Sequence, residues 1–485
     1  MWLPELNLGT LFIDGGWGPS SAGTVFESTN PATGETIGTL SAGDATDTRR
    51  AIAAAATAQP EWAARTAYDR SAVLYEAHRL MRERADDLAH LMTVEQGKPL
   101  RAARNEVNYG ADFLLWFAEQ AKRVYGAMIP SPRADQRFLV MHKPVGVVAA
   151  ITPWNYPISM ITRKVAPAIA AGCTVVLKPA EQTPICAVAI FELLAEAGLP
   201  PGVANLITTE RPEPVGAEML ASPLVRKLTF TGSTEVGKRL AGEAASRMKR
   251  VSVELGGHAP FIVFGDADPS HAAKGAALVK FLNTGQACIC PNRIFVHRSL
   301  VGEFVATFTE RVAALKAGNG LEAGISIGPL IDRTALEKMN RHVSDAVSKG
   351  ATLVAGGEQL TGEAFGQGAF FAPTILSNVT PEMTIYREET FGPIAPVITF
   401  DDESEVVAMA NDTSYGLASY VYTRDIGLAL RVTEALDFGI VGINDINPTA
   451  AAAPFGGMKE SGLGREGAQE GLAEYLETKL VGLSI

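Results

Sequence analysis

Short apolar runs recur along this chain, and a helical run separates each from the next. VGVVAAI is followed by the turn PWNYP and the helical RKVAPAIAAG. TVVLK is followed by PAEQTP and ICAVAIFELLAEAG, and VANLIT and KLTFTG each by a turn and another helical run. Strands that are apolar throughout are buried on both faces, and strands separated by helices pair in parallel. This block closes near VSVELGG. A second alternating block runs from about Ala259 to Ala450, with PFIVF, RIFVH, TLVAGG, FFAPTIL, PIAPVITF, SYVYT and GIVGIN as its expected strands. The pattern predicts an α/β chain with two doubly wound units.

The flanking segments read differently. Residues 8–40 read as short strands and turns (LFIDGGW, TNPATGETIG), and Asp47 to about Tyr125 as helix. There Leu74, Met81 and Leu88 recur in sevens beside Leu91 and Met92, an apolar stripe among charged residues. RFLVMHKPVGVV reads as extended strand with a proline break. The tail YLETKLVGLSI reads as a lone strand that needs a distant partner. At 485 residues and 47% apolar, the chain can bury a sizeable core. A net charge of −11 argues against nucleic acid and against an anionic membrane as partners. No apolar run approaches the ~18 residues of a membrane span. The start, MWLPELNLG, lacks a basic region followed by an apolar core, so no secretory leader is expected. Four cysteines are too few for a disulfide scaffold and point to a reducing, cytoplasmic setting.

Two of those cysteines lie together in KFLNTGQACICPNR, at Cys288 and Cys290. A structural metal site needs about four Cys or His ligands, and His271 and His297 form no ligand-spaced pair, so no metal is expected. A disulfide across one residue would be strained and reducible. Two readings stay open: a pair of small buried side chains, or a reactive thiol. Asn, Thr, Gly and Gln upstream suit a loop or helix start, where backbone N–H groups would lower a thiol pKa. In VSVELGGHAP, Glu254 ends a strand and is either a surface carboxylate or a general base; His258 reads as a capping or core histidine. Asn155 in PWNYP either shapes a turn or donates to a developing oxyanion. Lys178 and Glu181 in VLKPAEQTP sit where a doubly wound sheet binds nucleotides. FTGSTEVGKR approaches the phosphate-binding pattern G-x-x-x-x-G-K-[ST] at Gly232, Gly237 and Lys238. Arg239 replaces the hydroxyl residue that would hold Mg²⁺, which leaves a nucleotide hydrolase as a poor reading.

Taken together, PWN, VLKPAEQTP, FTGSTEVG, ELGG, F-x-N-x-G-Q-x-C, EETFGP and PFGGMKESGLGRE resemble the aldehyde dehydrogenase superfamily, in family order over nearly the whole chain. The resemblance implies the aldehyde dehydrogenase fold: two doubly wound α/β domains plus a small β oligomerisation element. An NAD-binding domain would span 1–125 with 146–255, and a catalytic domain 256–455. Bridging strands and tail would span 126–145 with 456–485, pairing across a homodimer or homotetramer. The resemblance also assigns roles. Cys288 would be the nucleophile, Glu254 the base that activates water against the thioester, and Asn155 an oxyanion donor. Lys178 and Glu181 would bind the adenosine ribose, Gly232 and Ser233 the pyrophosphate, and Trp154, Glu389 and Phe391 the nicotinamide half. Glu181 would accept from a ribose 2′-OH and repel a 2′-phosphate, so NAD is expected over NADP.

MITRK, GQ-x-C-x-C-x-N, SGLGREG and EYLE resemble the succinate-semialdehyde dehydrogenase subgroup. There Arg163 would bind the far carboxylate of the substrate, with Thr449 and Phe455 beside it, and Cys290 would be a candidate redox partner for Cys288. The subgroup carries a second arginine where this chain has Leu282; Arg101 and Arg104 are other sources of a cation. The expected substrate is an acid semialdehyde such as succinic semialdehyde, with a neutral or aromatic aldehyde as the alternative.

Overall fold

A computed structural model describes residues 6–485; residues 1–5 of the MWLPELNLG start lie outside the described residues. The chain opens with two hairpins, β1 (Leu11–Ile13) with β2 (Gly16–Gly18) and β3 (Val25–Thr29) with β4 (Thr36–Ser41). Four helices follow: α1 (Ala45–Ala64), α2 (Ala67–Glu83), α3 (Ala85–Gln96) and α4 (Leu100–Ala121). The stripe of Leu74, Met81, Leu88, Leu91 and Met92 is buried as its spacing predicts.

After β5 (Ala127–Ile129) and β6 (Gln136–Pro144) the first winding begins. It runs β7 (Val147–Ile151), α5 (Pro157–Ala171), β8 (Thr174–Lys178), α6 (Pro184–Glu196), β9 (Ala204–Leu206), α7 (Pro212–Ala221), β10 (Val225–Thr231), α8 (Thr234–Ser246) and β11 (Arg250–Glu254). The second runs β12 (Ala259–Val263), α9 (Pro269–Lys280), β13 (Pro291–His297), α10 (Val301–Ala313), α11 (Arg333–Ser348), β14 (Thr352–Ala355), β15 (Thr374–Ser377), α12 (Thr384–Arg387), β16 (Ile394–Phe400), α13 (Glu403–Asn411), β17 (Ala418–Tyr422), α14 (Ile426–Ala435) and β18 (Ile440–Ile443). The chain ends with β19 (Gly462–Leu463), α15 (Ala468–Ala473) and β20 (Leu476–Ser484).

The sheets are ordered β19-β11-β10-β7-β8-β9-β1-β2 and β14-β15-β16-β13-β12-β17-β18, with parallel pairing throughout their centres. The period-two geometry of a strand divides each core in two. Val148 and Ala150 face one apolar cluster while Val147, Ala149 and Ile151 face another. In the second sheet Phe261 and Val263 face one side and Ile262 the other. Both sheets are therefore covered on both faces, and both are doubly wound.

The lone tail strand finds its partner: β20 pairs antiparallel with β6 from Leu476↔Pro144 to Ser484↔Gln136, and β5 completes a three-stranded sheet. The stretch 456–485 holds a second, short strand besides β20. β19 lies inside it and pairs with β11, closing the open edge of the first sheet. Gly462 permits this with a φ of +144°, since a side chain there would run into the Val253 carbonyl.

Candidate active site

Parallel register levels the carboxyl ends of four neighbouring strands. Ile151 lies opposite Lys178, Phe230 opposite Ile151, and Thr231 opposite Glu254. The turns that leave these ends therefore present Trp154–Asn155, Lys178–Glu181, Gly232–Ser233 and Glu254 side by side. This is the crevice where an open α/β sheet takes its ligand.

Each turn has a local cause. Lys178 is 4% exposed and its Nζ donates to Glu181 Oε1 at 2.7 Å. Ser233 caps α8, accepting from Val236 N at 3.4 Å. The Gly232 N–H donates to the Glu254 carbonyl at 3.1 Å, and any Cβ on Gly232 would meet the Phe230 ring at 2.5 Å. Lys238 pairs with Glu460 at 2.6 Å on the surface, so it cradles nothing, consistent with rejecting the phosphate-loop reading.

Two glycines draw the second unit onto the first. A Cβ on Gly257 would collide with the Cys288 carbonyl oxygen, and one on Gly256 would come within 2.8 Å of Glu389 Oε2. The Gly257 N–H donates to Glu389 Oε1 at 2.8 Å, and the Gly256 N–H to Thr234 Oγ1 at 3.1 Å. Cys288 thus sits in the loop between a 3-10 turn (Leu282–Gly285) and β13, against the end of β11. Two successive left-handed residues, Asn283 (φ 48°) and Thr284 (φ 59°), bend that loop inward. Asn283 Nδ2 donates to the Asn155 carbonyl at 2.9 Å, and Asn155 Nδ2 to the Gln286 carbonyl at 3.1 Å. Phe391, also left-handed at φ 53°, stands edge-on to Trp154 with ring centroids 5.6 Å apart.

The electrostatics correct one expectation. Backbone N–H groups do not lower the thiol pKa of Cys288. Burial and the neighbouring Glu254 carboxylate raise it well above the usual thiol range. The Glu254 carboxyl is buried with no hydrogen-bond partner for either oxygen among the described residues, and burial, then Glu466, push it up to about 8. Glu466 belongs to a buried cluster on α5: Arg163 Nη2 lies 2.8 Å from one of its oxygens and Lys164 Nζ pairs with the other. The Arg163 guanidinium stacks over Phe455 at 4.1 Å and Phe113 at 5.4 Å, and its Nε meets no acceptor among the described residues. Thr449 and Phe455 share the wall of one small cavity with Ile440 and Pro448.

The other expected residues fall as follows. Cys290 is buried, its Sγ donating to the Val279 carbonyl at 3.2 Å, and all four cysteines are free. His258 is a core histidine whose Nε2 lies 2.7 Å from the Tyr386 carbonyl. Leu282 is 40% exposed. Arg101 and Arg104 lie on α4, and exposed Arg104 is paired with Asp86 at 2.5 Å. Among the described residues no cluster could hold a metal ion, and no helix is long and apolar enough to cross a membrane.

This arrangement has close counterparts. The model of the aldehyde dehydrogenase family matches residues 17–481. A glutarate-semialdehyde dehydrogenase of Pseudomonas putida is 52% identical over 98% of this chain and 97% of its own. A succinate-semialdehyde dehydrogenase of Escherichia coli, named as NADP(+)-dependent, is 50% identical over 98% of both chains. The crystal structure of a succinate-semialdehyde dehydrogenase from Burkholderia pseudomallei superposes with a TM-score of 0.97 at 46% identity, covering 99% of each chain. The chain belongs to the aldehyde dehydrogenase family. It is an enzyme that oxidises an aldehyde to a carboxylate through a cysteine thioester, with NAD(P) as cofactor.

The crevice fits that cofactor. Gly232 leaves its backbone bare of a side chain, Ser233 starts a helix, and the Glu389 carboxyl, two residues before Phe391, is pushed up to about 7 by burial. Sequence reasoning missed Lys164, Glu466, Asn283, Gln286 and Lys338, the last donating to the Glu389 carbonyl at 2.5 Å. Glu466 lies inside the quoted SGLGRE motif, but nothing in a linear sequence says that its carboxylate is buried against α5.

Proposed function

We propose that Cys288 is the nucleophile, Asn155 the oxyanion donor and Glu254 the base of this aldehyde oxidation. The carrying observation is the packing of Gly257 against the Cys288 carbonyl, which seats the thiol beside the strand that ends in Glu254. The Cys288 thiol gives its proton to ionised Glu254, which sheds it to solvent, and the thiolate Sγ adds to the aldehyde carbon. The Asn155 amide and the Cys288 N–H hold the resulting oxyanion. When bound, the dinucleotide accepts the hydride, which leaves a thioester on Cys288. Glu254 then takes a proton from the attacking water, the carbon–sulfur bond breaks, and the carboxylate product leaves. Lys178 and Glu181 would hold the adenosine ribose, Gly232 and Ser233 the pyrophosphate, and Glu389, Phe391 and Trp154 the nicotinamide half.

The substrate is an acid semialdehyde. Arg163 supports this, because its buried Nε has an unused donor over Phe455, where a distant carboxylate can be met. The relatives named for glutarate and succinate semialdehyde point the same way. A neutral aldehyde is the second reading, and the exposed apolar Leu282 favours it. The test compares kcat/KM for glutaric and succinic semialdehyde with that for butyraldehyde. A preference for the acids of on the order of tenfold or more, from one charged hydrogen bond, supports the first reading; equal values overturn it.

NAD is the preferred cofactor. Glu181, hydrogen-bonded to Lys178, would accept from a ribose 2′-OH and repel a 2′-phosphate, which supports this reading. The NADP(+) in the name of the Escherichia coli relative makes this a direct test: equal efficiency with both cofactors overturns it. The β20–β6–β5 sheet, with exposed Met128, Met141 and Leu480, is the surface for a second copy of the chain in a dimer or tetramer. Four free cysteines suit the reducing cytoplasm.

A further inference from the structure

A buried ion pair lies behind Asn155, and the chemistry above does not use it. Lys98, in the turn between α3 and α4, and Glu106, on α4, are each 1% exposed at the side chain and are in direct contact. Lys98 Nζ donates to the Asn155 main-chain carbonyl at 2.8 Å and lies 4.1 Å from the centre of the Tyr156 ring. Glu106 Oε1 accepts from the N–H groups of Ile158 at 3.0 Å and Ser159 at 3.1 Å, the open first turn of α5. The pair therefore grips both sides of the Asn155–Tyr156–Pro157 turn, the lysine on its carbonyl and the glutamate on the amides that follow. Asn283 Nδ2 holds the same carbonyl from the Cys288 loop.

A buried ion pair is a weak source of stability, because desolvating two charges offsets most of their attraction. Fixing one backbone carbonyl in one place is something it does well. An oxyanion donor works only when its N–H stands ready before the charge develops. We propose that Lys98 and Glu106 are positioning residues for Asn155, holding the turn so that the amide faces the Cys288 adduct. The inference rests on the oxyanion role given to Asn155.

The experiment compares wild type, N155A, the isosteric double variant K98M/E106Q and the triple variant by steady-state and single-turnover NADH formation. E106Q keeps a side-chain oxygen for the α5 amides. N155A is expected to lower kcat on the order of 10²- to 10³-fold. K98M/E106Q is expected to lower kcat on the order of 10²-fold, with aldehyde KM and cofactor Kd unchanged, and the triple variant to be no slower than N155A. If K98M/E106Q keeps wild-type kcat, if its loss multiplies in full onto N155A, or if KM and Kd worsen in step with kcat, the positioning role is overturned. If N155A itself keeps wild-type kcat, the oxyanion reading fails, and the basis for Lys98 fails with it. Should the double variant not yield folded protein, K98M alone, which removes the grip on the Asn155 carbonyl, is read by the same criteria.

Discussion

The Arg163 guanidinium lies 2.8 Å from a carboxylate oxygen of Glu466, and both side chains are buried. Lys164 takes the other oxygen, so one anion is shared by two cations. Glu254 feels all three. Glu466 pushes its carboxyl up, while Arg163 and Lys164 pull it down. Removing the anion in E466Q frees two cations as well, so both effects lower the Glu254 pKa. Removing a cation in R163M raises it. The pH midpoint of thioester hydrolysis is expected to move down in E466Q and up in R163M, by about one unit or more. Midpoints that stay put in both variants would dissociate this cluster from Glu254.

As the proposed base, Glu254 governs the pH dependence expected of hydrolysis. Its carboxyl is raised to about 8 by burial and Glu466, so below that pH it is protonated and cannot accept a proton from water. Where hydrolysis limits turnover, kcat is expected to rise with pH through neutrality and to level off above about 8. E254Q should release one NADH per site in a first turnover, then slow on the order of 10²- to 10⁴-fold. A flat pH profile, or an E254Q enzyme that turns over normally, would remove Glu254 from the hydrolytic step.

Much of this is open to reading from sequence because each signal is local. Strand ends followed by Gly, Asn or Lys mark a ligand crevice whatever the tertiary context, and the apolar alternation announces both windings. Glu254 and Asn155 stand in such places, and Cys288 in a loop whose Asn, Thr, Gly and Gln are poor strand residues. The charged interior behind them is not legible. Lys98 and Glu106 are eight residues apart, one in a turn and the other in the helix after it, and Lys164 and Glu466 lie 302 apart in sequence. A lysine reads as solvated until the fold buries it. The thiol escapes sequence reading for the same reason: the loop composition suggests N–H donors, whereas the dominant influences are burial and a carboxylate from another unit. β19 is two residues long and too short to carry a strand pattern, so its place beside β11 is hidden inside the tail.

The Lys178–Glu181 contact makes cofactor choice adjustable. With Glu181 replaced by serine, Lys178 loses its partner at 2.7 Å and becomes a free cation at the proposed ribose site. E181S is expected to raise kcat/KM for NADP by on the order of tenfold or more, the value of one charged hydrogen bond gained and one repulsion removed. The figure for NAD should fall. The measurement is the ratio of the two kcat/KM values before and after substitution, and an unchanged ratio would place cofactor selection elsewhere.

The tail sheet carries the last test. Among the described residues β20 pairs only with β6, and its outer edge and much of the sheet's apolar surface are open: Leu480 on β20 is 61% exposed and Met128 on β5 69%. An exposed edge strand of this length invites pairing with another chain. L480D puts a carboxylate into whatever covers that strand. If a second copy does, desolvating the unpaired charge costs on the order of 3 kcal/mol, about a hundredfold in the dissociation constant. Light scattering on dilute protein should then show wild type as a multiple of the 51.3 kDa chain and L480D shifted toward the single chain. None of the residues given a role in the chemistry lies on β5, β6 or β20, so first-turnover NADH release should survive in the dissociated enzyme. An L480D protein that keeps the wild-type mass would show that the open strand is not the contact between copies.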